Sequence, residues 1–503
     1  MMSRSTHDIH GKSYNRTAMI VLLLVATFAG VLNQTSLGTA IPTLMKSFDI
    51  SLSTAQEATT WFLLANGIMI PVSAYLATRF STKWLYFSAY VILVVGLLMT
   101  TLAPTSNWNI FLAGRIIQAC SVGITMPLIQ VVMVNVFPAE QRGAAMGLNG
   151  LVVGLAPAIG PTLAGWILKQ NFSLFGHDLS WRAIFIIPLA ILILTLILAP
   201  FLVKDVVDNK HVKLDLPSLT LSILGFGSFL WGFTNVADHG WGNMGYVIAP
   251  IFIGLLIIVL FAYRQLHMEQ PFLDISVFEN KQFLVTTIAI ALSMMAMMGV
   301  EMMLPLYMQN VHGLSALDSG LALLPGALMM GIVSPISGSV YDKVGARRLA
   351  MIGFTILGIG TVPFIFLTAS TPDHFITLLY AVRMFGIATI MMPLTASAMS
   401  ALPPHEAAHG TAANNTVRQI ASAIVVALLS SVTQNVINDN KPSAALKAMD
   451  PLKYGSKMVD ANLSGFHVSF TLGLSFAILG FLVALLLRKG KIIEKEDDDK
   501  WLL

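Results

Sequence analysis

Within the stretch MMAMMGVEMMLPLY (294–307) a single carboxyl group, Glu301, stands in an otherwise apolar run. An ionisable side chain in such a run is expensive to bury and by default marks a functional site. Low dielectric favours the neutral acid, so Glu301 is expected to take up and release a proton near neutral pH. Its structural alternative is a fixed ion pair with a neighbouring arginine. Arg115, Arg383 and Arg418 lie in apolar runs of their own. Glu57, in STAQEATTWF (53–62), and Asp318, at the start of another run, are further candidate proton carriers. Either can equally be a solvated carboxylate at a helix start, where negative charge is favourable.

Around Glu301 crowd Met294, Met295, Met297, Met298, Met302 and Met303. Methionine is flexible and polarizable and suits a surface that accepts many shapes. Met298 and Met302 are therefore candidate substrate contacts, with Trp61 and Tyr307 as aromatic walls. Asn33, Gln34, Gln118, Asn414 and Asn415 are polar groups able to line the same space or to bond between helices. Other chemistries find no support. The sequence holds no G-x-x-x-x-G-K-[ST] phosphate loop, no H-E-x-x-H and no paired cysteines, its one cysteine being Cys120. No cofactor, metal or nucleic acid is expected, nor an enzyme's nucleophile–base pair.

The elements that position these residues follow from composition. Of 503 residues, 56% are hydrophobic and 11% charged, against roughly a quarter charged in globular chains. Such a chain cannot cover a soluble surface, and the bilayer is its natural solvent. The polar start MMSRSTHDIHGKSYNR leads into an apolar run too long for a secretory signal. Marking apolar runs of about 20 residues gives fourteen. With the N-terminus in the cytoplasm, nineteen Lys and Arg fall in cytoplasmic segments and seven in external ones. By the positive-inside rule both termini are expected in the cytoplasm.

A repeat runs through the chain. IPVSAYLATRFSTKWL (70–85) and SPISGSVYDKVGARRL (334–349) align without gaps, matching Arg79 to Lys343 and Lys83 to Arg347. FPAEQRGAAMGLNGL (137–151) echoes LPPHEAAHGTAANNTV (402–417), and Arg115 echoes Arg383. Spans 1–6 and 9–14 thus form two copies of one six-helix unit, with spans 7 and 8 inserted between them. Parallel six-helix halves are a transporter architecture with a substrate site near the midplane.

GLAPAIGPTLAGW (154–166) crowds three glycines and two prolines into one span. Small residues let helices approach closely, and proline-freed carbonyls are tolerated where neighbouring protein satisfies them. Gly154, Pro157, Gly160, Pro161 and Gly165 are expected to make a thin, kinkable helix between the halves.

With these motifs the sequence resembles the major facilitator superfamily, and within it the fourteen-helix drug–proton antiporters of the EmrB/QacA kind. GSVYDKVGARR (338–348) is similar to the family's G-x-x-x-D-R/K-x-G-R-K/R loop, keeping Gly338, Asp342, Lys343, Gly345 and Arg347, while the first copy has Ala74, Thr78 and Ser81 at its glycines and aspartate. Arg115 and Gln118 match the fourth-span R-x-x-Q, and GPTLAG (160–165) resembles the fifth-span exporter motif. NNTVRQ (414–419), with Arg418, is similar to the family's N-N-T-x-R-Q. LNQTSLGTAIP (32–42) departs from L-D-x-T-x-x-N-x-A-x-P, with Asn33 at the aspartate and Gly38 at the asparagine.

The expectation is an all-α integral membrane protein of 14 transmembrane helices, two pseudo-symmetric six-helix bundles plus an inserted hairpin. Its parts are a cytoplasmic tail (1–17), an N-terminal bundle (18–203), a linker with the hairpin (204–281), a C-terminal bundle (282–488) and a second cytoplasmic tail (489–503). The resemblance implies a monomeric, multi-pass cell-membrane exporter driven by protons and expelling lipophilic, often cationic, small molecules. Glu301, Glu57, Asp318 and Arg115 are the residues expected to couple it. A narrow-range exporter of a metabolite, peptide, organic anion or lipid is the alternative on the same fold.

Overall fold

The computed structural model describes residues 6–488 except 138, 171–172, 175–176, 208–214, 269–270, 272 and 403–406. The chain is helical almost throughout. In order come α1 (Arg16–Thr35), α2 (Leu37–Phe48), α3 (Leu52–Arg79), α4 (Thr82–Thr101), α5 (Trp108–Val136), α6 (Ala139–Gln170) and α7 (Ala183–Leu202). Then follow α8 (Leu216–Thr234), the single turn α9 (Val236–His239) and α10 (Ala249–Leu266). The remainder is α11 (Lys281–Asn310), α12 (Ala316–Val344), α13 (Ala346–Thr361), α14 (Asp373–Ser400), α15 (Ala407–Asn440), α16 (Ala444–Met449) and α17 (Pro451–Leu485). Two-residue strand pairs at Thr6–His7 with Ser13–Tyr14, and at Ser173–Leu174 with His177–Asp178, are the β structure among the described residues.

Helix starts are written into the sequence. Asn15, Ser51, Ser81, Asn107, Asn280, Ser315 and Asp450 each accept a hydrogen bond from a backbone N–H of the turn that follows, as N-cap chemistry requires. Among the described residues twelve helices are long and apolar enough to cross a membrane. α3 and α6, of 28 and 32 residues, pack among them with a more polar composition. The first apolar run is not one helix, for it breaks at Ser36 and resumes as α2 with Pro42 inside.

α1 to α7 close around one apolar core and α11 to α17 around another, which also takes in Ile41 of α2, Ala55, Leu63 and Leu64 of α3 and Leu230 of α8. Large apolar side chains such as Phe201 and Phe252, each 71% exposed, sit on the outside, which only lipid can solvate favourably. The chain ends share one face. Ile9 N–H donates to the Asp205 carbonyl at the end of α7, and Arg488 N–H donates to Gln282 at the start of α11. This is the terminal face, and its opposite is the far face.

The two cores meet along two lines, α6 against α12 and α3 against α15. The first explains GLAPAIGPTLAGW. A Cβ on Gly165 would stand 2.5 Å from Leu317 Cα, and one on Gly320 would stand 2.7 Å from the Pro161 carbonyl oxygen. Both distances are below van der Waals contact, so the backbones touch only because these positions lack side chains. Thr162 Oγ1 donates to the Gly320 carbonyl at 3.0 Å. Thr35 and Thr39 donate to the carbonyls of Ala156 and Pro161 at 3.2 and 3.3 Å. Those carbonyls are not the two that lie four residues before the prolines, so the helix is braced beside its prolines and not at the carbonyls they free. Gly154 and Pro157 lie in α6 at positions whose side chains are outside the described residues.

The hairpin of α8 and α10 touches both halves through α8, which packs on α3 and α15, while α10 packs on α8. Asp215 stands at the N-cap position of α8. Its two oxygens accept from Arg264 Nε at 3.1 Å and Nη2 at 2.8 Å, and one of them also from the Ser218 hydroxyl, closing the hairpin at the terminal face. Partial burial alone pushes the Asp215 carboxyl up, yet the hydrogen bonds from Arg264 and Ser218 hold it below the usual carboxylate range.

Candidate functional site

Glu301 lies on α11 in the far-side half of the helix, half-buried, with Oε2 enclosed and without a hydrogen-bond partner. The half-exposed positions of this part of α11 are Ala291, Leu292, Met294, Met295, Met298, Glu301 and Met302. At 100° per residue they form one stripe. Met298 and Met302 thus share a face with the acid, as the sequence suggested, whereas Met297 and Met303 are buried. The charged neighbour whose field reaches Glu301 is Arg383 of α14, with Tyr380 beside it.

Arg383 is fully buried. Its Nε donates to Thr361 Oγ1 of α13 and its Nη2 to the Ala296 carbonyl of α11, both at 2.8 Å. Nη1 is buried and unpartnered. No salt bridge closes between Arg383 and Glu301. The structure therefore holds a cation and an acid in one bundle, each with an unused atom.

The N-terminal bundle carries the copy. Asn33 and Glu301 stand 268 residues apart, the same separation as Arg115 and Arg383. Arg115 Nη1 donates to Gln118 Oε1 at 2.9 Å and approaches Asn33 Oδ1 at 3.4 Å. Asn33 Nδ2 donates to the same Gln118 oxygen at 2.8 Å, and Gln118 Nε2 donates to Thr100 Oγ1 at 2.7 Å and the Gly96 carbonyl at 3.0 Å. The guanidinium carbon lies 4.4 Å over the Phe62 ring, a favourable cation–π distance. Asn33 and Gln118 are 1% and 0% exposed, so these two candidate substrate contacts face one another and not an open space. Gln34 beside them is half-buried.

The other candidates scatter. Glu57 is half-buried on α3, one turn from Trp61. Trp61 packs against Trp231 of α8 at 5.0 Å, so its ring meets the hairpin. Asp318 is exposed and sits in a capping arrangement, accepting from Ser315 Oγ at 2.6 Å while its own N–H donates back at 3.1 Å. It stands apart from the Glu301 pair, and helix capping accounts for it. Tyr307 is fully buried against Phe466 and Phe470, so its ring is core and not an open wall. Its hydroxyl donates to the Thr368 carbonyl at 2.9 Å and meets His312 Nε2 at 2.9 Å, while His312 Nδ1 meets Asp373 Oδ1 at 2.7 Å. Sequence reasoning missed this chain, because His312 and Asp373 lie 61 positions apart with no motif between them.

On α15, Asn414 is 2% exposed with Oδ1 unpartnered. Asn415 donates to Gln130 of α5 at 3.4 Å, and Arg418 reaches Asn415 Oδ1 at 3.5 Å. The basic loops lie at the terminal face. Arg79 donates to the Tyr75 hydroxyl, and Lys83 N–H donates to Asp205 Oδ1 at 3.0 Å. In the second copy Gly345 has φ +82°, a backbone conformation that suits glycine, and it starts α13. Gly338 has open space where a Cβ would lie, Lys343 is exposed, and Arg347 Nε is buried without a partner. Asp342 lies in α12 with its side chain outside the described residues.

A model of the Major Facilitator Superfamily matches residues 23–426. The chain is 40% identical over 482 residues to an uncharacterised MFS-type transporter, YcnB, of Bacillus subtilis, covering 96% of this chain and 97% of that protein. It is 35% identical over 487 residues to the lincomycin resistance protein LmrB of Listeria monocytogenes, covering 96% and 98%. Among solved structures, a bacterial homologue of the human lysosomal transporter Spinster, inward-facing and occupied, superposes with a TM-score of 0.64 at 13% identity, covering 94% of this chain and 96% of that one.

Proposed function

The chain belongs to the major facilitator superfamily, and from that membership we propose that it is a secondary active multidrug exporter, exchanging protons for lipophilic, often cationic, compounds. The likeness to lincomycin resistance proteins supports efflux of toxic molecules. The nineteen-to-seven bias of Lys and Arg sets the terminal face in the cytoplasm of a cell membrane. No cofactor enters the scheme, and the working unit is a monomer.

The observation that carries the reading is the open pair of Glu301 Oε2 and Arg383 Nη1, both buried and both unpartnered. Deprotonated Glu301 is drawn toward Arg383, and protonated Glu301 is released from it. That makes a two-state element whose balance a proton sets. A substrate lies along the methionine stripe while Glu301 has lost its proton toward the cytoplasm. The two bundles then rock along the α6–α12 and α3–α15 lines, and reprotonation from the far side displaces the substrate. At a membrane potential of 100 mV one translocated charge is worth about 2.3 kcal/mol, enough to hold a neutral or zwitterionic substrate at a concentration ratio of roughly fortyfold. A monovalent cation exchanged one for one moves no net charge and is driven by the pH gradient alone.

Liposomes holding the purified protein, an imposed pH gradient and ethidium as the fluorescent cation test this. Glu301→Gln is expected to lower gradient-driven flux by about 100-fold or more while downhill exchange persists, since only the coupled step needs a proton. Unchanged gradient-driven flux in that variant removes Glu301 from the scheme.

A further inference from the structure

Three guanidinium groups lie in the apolar interior, and they are not equally held. Arg115 has Gln118 at 2.9 Å and a ring at 4.4 Å, with Nε buried and unpartnered. Arg383 has two acceptors at 2.8 Å. Among the described residues Arg418 has only Asn415 Oδ1 at 3.5 Å and Met294 Sδ at 4.0 Å, and its Nε is buried without a partner. Contacts so long contribute little. A guanidinium drawn out of water with neither a carboxylate nor a full set of acceptors is costly. Buried donors in folded proteins are otherwise satisfied, so Arg418 stands out as a group that a ligand would complete.

Its surroundings are those of a site between the bundles. A Cβ on Gly67 of α3 would stand 3.3 Å from the Cβ of Gln419, and Asn415 reaches Gln130 of α5. Gln419 Oε1 is buried and unpartnered. The methionine that Arg418 touches begins the stripe that ends at the acid. Met294, Met298 and Glu301 fall at i, i+4 and i+7 on α11, a rise of about 10 Å. A cation, an apolar wall and a carboxyl group thus follow one another along a single face.

We propose that Arg418 is the anion-binding end of the substrate site, so that the protein takes lipophilic compounds bearing a carboxylate or similar anion, zwitterions above all, with the cationic part toward Glu301. The guanidinium offers a planar fork of donors matched to a carboxylate, and the unpartnered Gln419 Oε1 beside it accepts from an N–H or O–H of the same ligand. This rests on the export reading and narrows it: a free cation is the poorer substrate, and the amphoteric molecule the better one.

Rhodamine B carries a xanthylium cation and a free carboxylate, and its ethyl ester carries the cation alone. Binding of each to the full chain in nanodiscs is read by fluorescence anisotropy at pH 7 and low salt. The wild type is expected to bind rhodamine B about tenfold more tightly than the ester, the size of one charge-assisted hydrogen-bonded contact. Arg418→Gln removes that preference by weakening the acid about tenfold and leaving the ester within about twofold, and Arg418→Lys retains part of it. Equal wild-type affinities, or a loss shared by both dyes in Arg418→Gln, overturn the assignment. Should Arg418→Gln fail to fold, the wild-type preference decides alone. A wild type that binds the ester but not the acid sinks the anion subsite and leaves export standing, whereas one that binds neither dye sinks both.

Discussion

The Arg115 network and the Arg383 pair occupy the same place in two copies of one unit, yet they do different things. Around Arg115 the partner at the equivalent position is an amide. Asn33 accepts through Oδ1 and donates through Nδ2, and with Gln118 and Thr100 it closes a set of hydrogen bonds in which Arg115 is the one charged group. Nothing in that set exchanges a proton. Around Arg383 the equivalent position is Glu301, and the set is broken, with one oxygen and one guanidinium nitrogen left over. Each copy leaves a guanidinium nitrogen over, Arg115 Nε in one and Arg383 Nη1 in the other. The copy made of amides has no group that ionises, whereas the copy with a carboxyl group can change its charge.

The strongest way to break this contrast is to remove each arginine in turn. Arg383→Gln leaves Glu301 without its cation, and gradient-driven flux in liposomes is expected to fall about 100-fold with downhill exchange retained. Arg115→Gln should do something else. It strips the guanidinium from Gln118 and Asn33, whose freed acceptors cost about 1–3 kcal/mol, and the loss appears in thermal stability. The expected readings are a melting point lower by a few degrees and a flux per folded molecule within about threefold of wild type. If both variants lose coupling alike, the two sites are one machine and the contrast fails.

Much of this was legible beforehand. The apolar runs, the repeat and the small-residue span follow from periodicity and composition, and the helices, the two cores and the glycine contacts at Gly165 and Gly320 agree with them. Glu301 stood out because one acid in an apolar run is rare. What the sequence hid was register and partnership. That Asn33 and Glu301 are equivalents shows only once Arg115 is seen on Asn33 and Arg383 on the helix that carries Glu301. The order of satisfaction among the three arginines depends on distances, which no spacing encodes. Trp61, Tyr307 and Asn33 misled because an aromatic or polar residue in a span reads the same whether it faces a substrate, a neighbouring helix or the core. The break at Ser36 went unseen, since hydropathy does not register a helix that stops and resumes within one apolar run.

Asn33→Asp sharpens the contrast by making the amide copy resemble the other. A carboxylate in place of the amide keeps the acceptor for Arg115 but loses the Nδ2 donation to Gln118 at 2.8 Å. The N-terminal bundle then contains its own cation–acid pair. The expected outcome is a change of roughly two- to fivefold in the pH dependence of transport, measured as flux between pH 5.5 and 8, with ethidium binding at neutral pH little altered. A pH profile that overlays wild type means that position 33 has lost any access to protons, whatever side chain it carries.

The far ends of the two bundles repeat the contrast at smaller scale. In the N-terminal bundle Phe48, Trp108, Phe111 and Trp181 close the end with rings 4.8–5.5 Å apart. In the C-terminal bundle the end is closed by Asp373, His312 and Tyr307 in hydrogen-bonded sequence. The tyrosine has one hydroxyl proton and two neighbours able to accept it, the Thr368 carbonyl and His312 Nε2. The hydroxyl can turn from one to the other with the contacts of the end kept, a freedom that a wall of aromatic rings does not have. Tyr307→Phe removes the hydroxyl and leaves Thr368 and His312 each short of a partner. Stability is expected to fall by about 1 kcal/mol, and transport per folded molecule to slow about twofold. Trp181→Phe in the other bundle costs stability through lost packing and leaves transport per folded molecule unchanged. Slowed transport in both variants, or in neither, means that the two ends differ in composition alone.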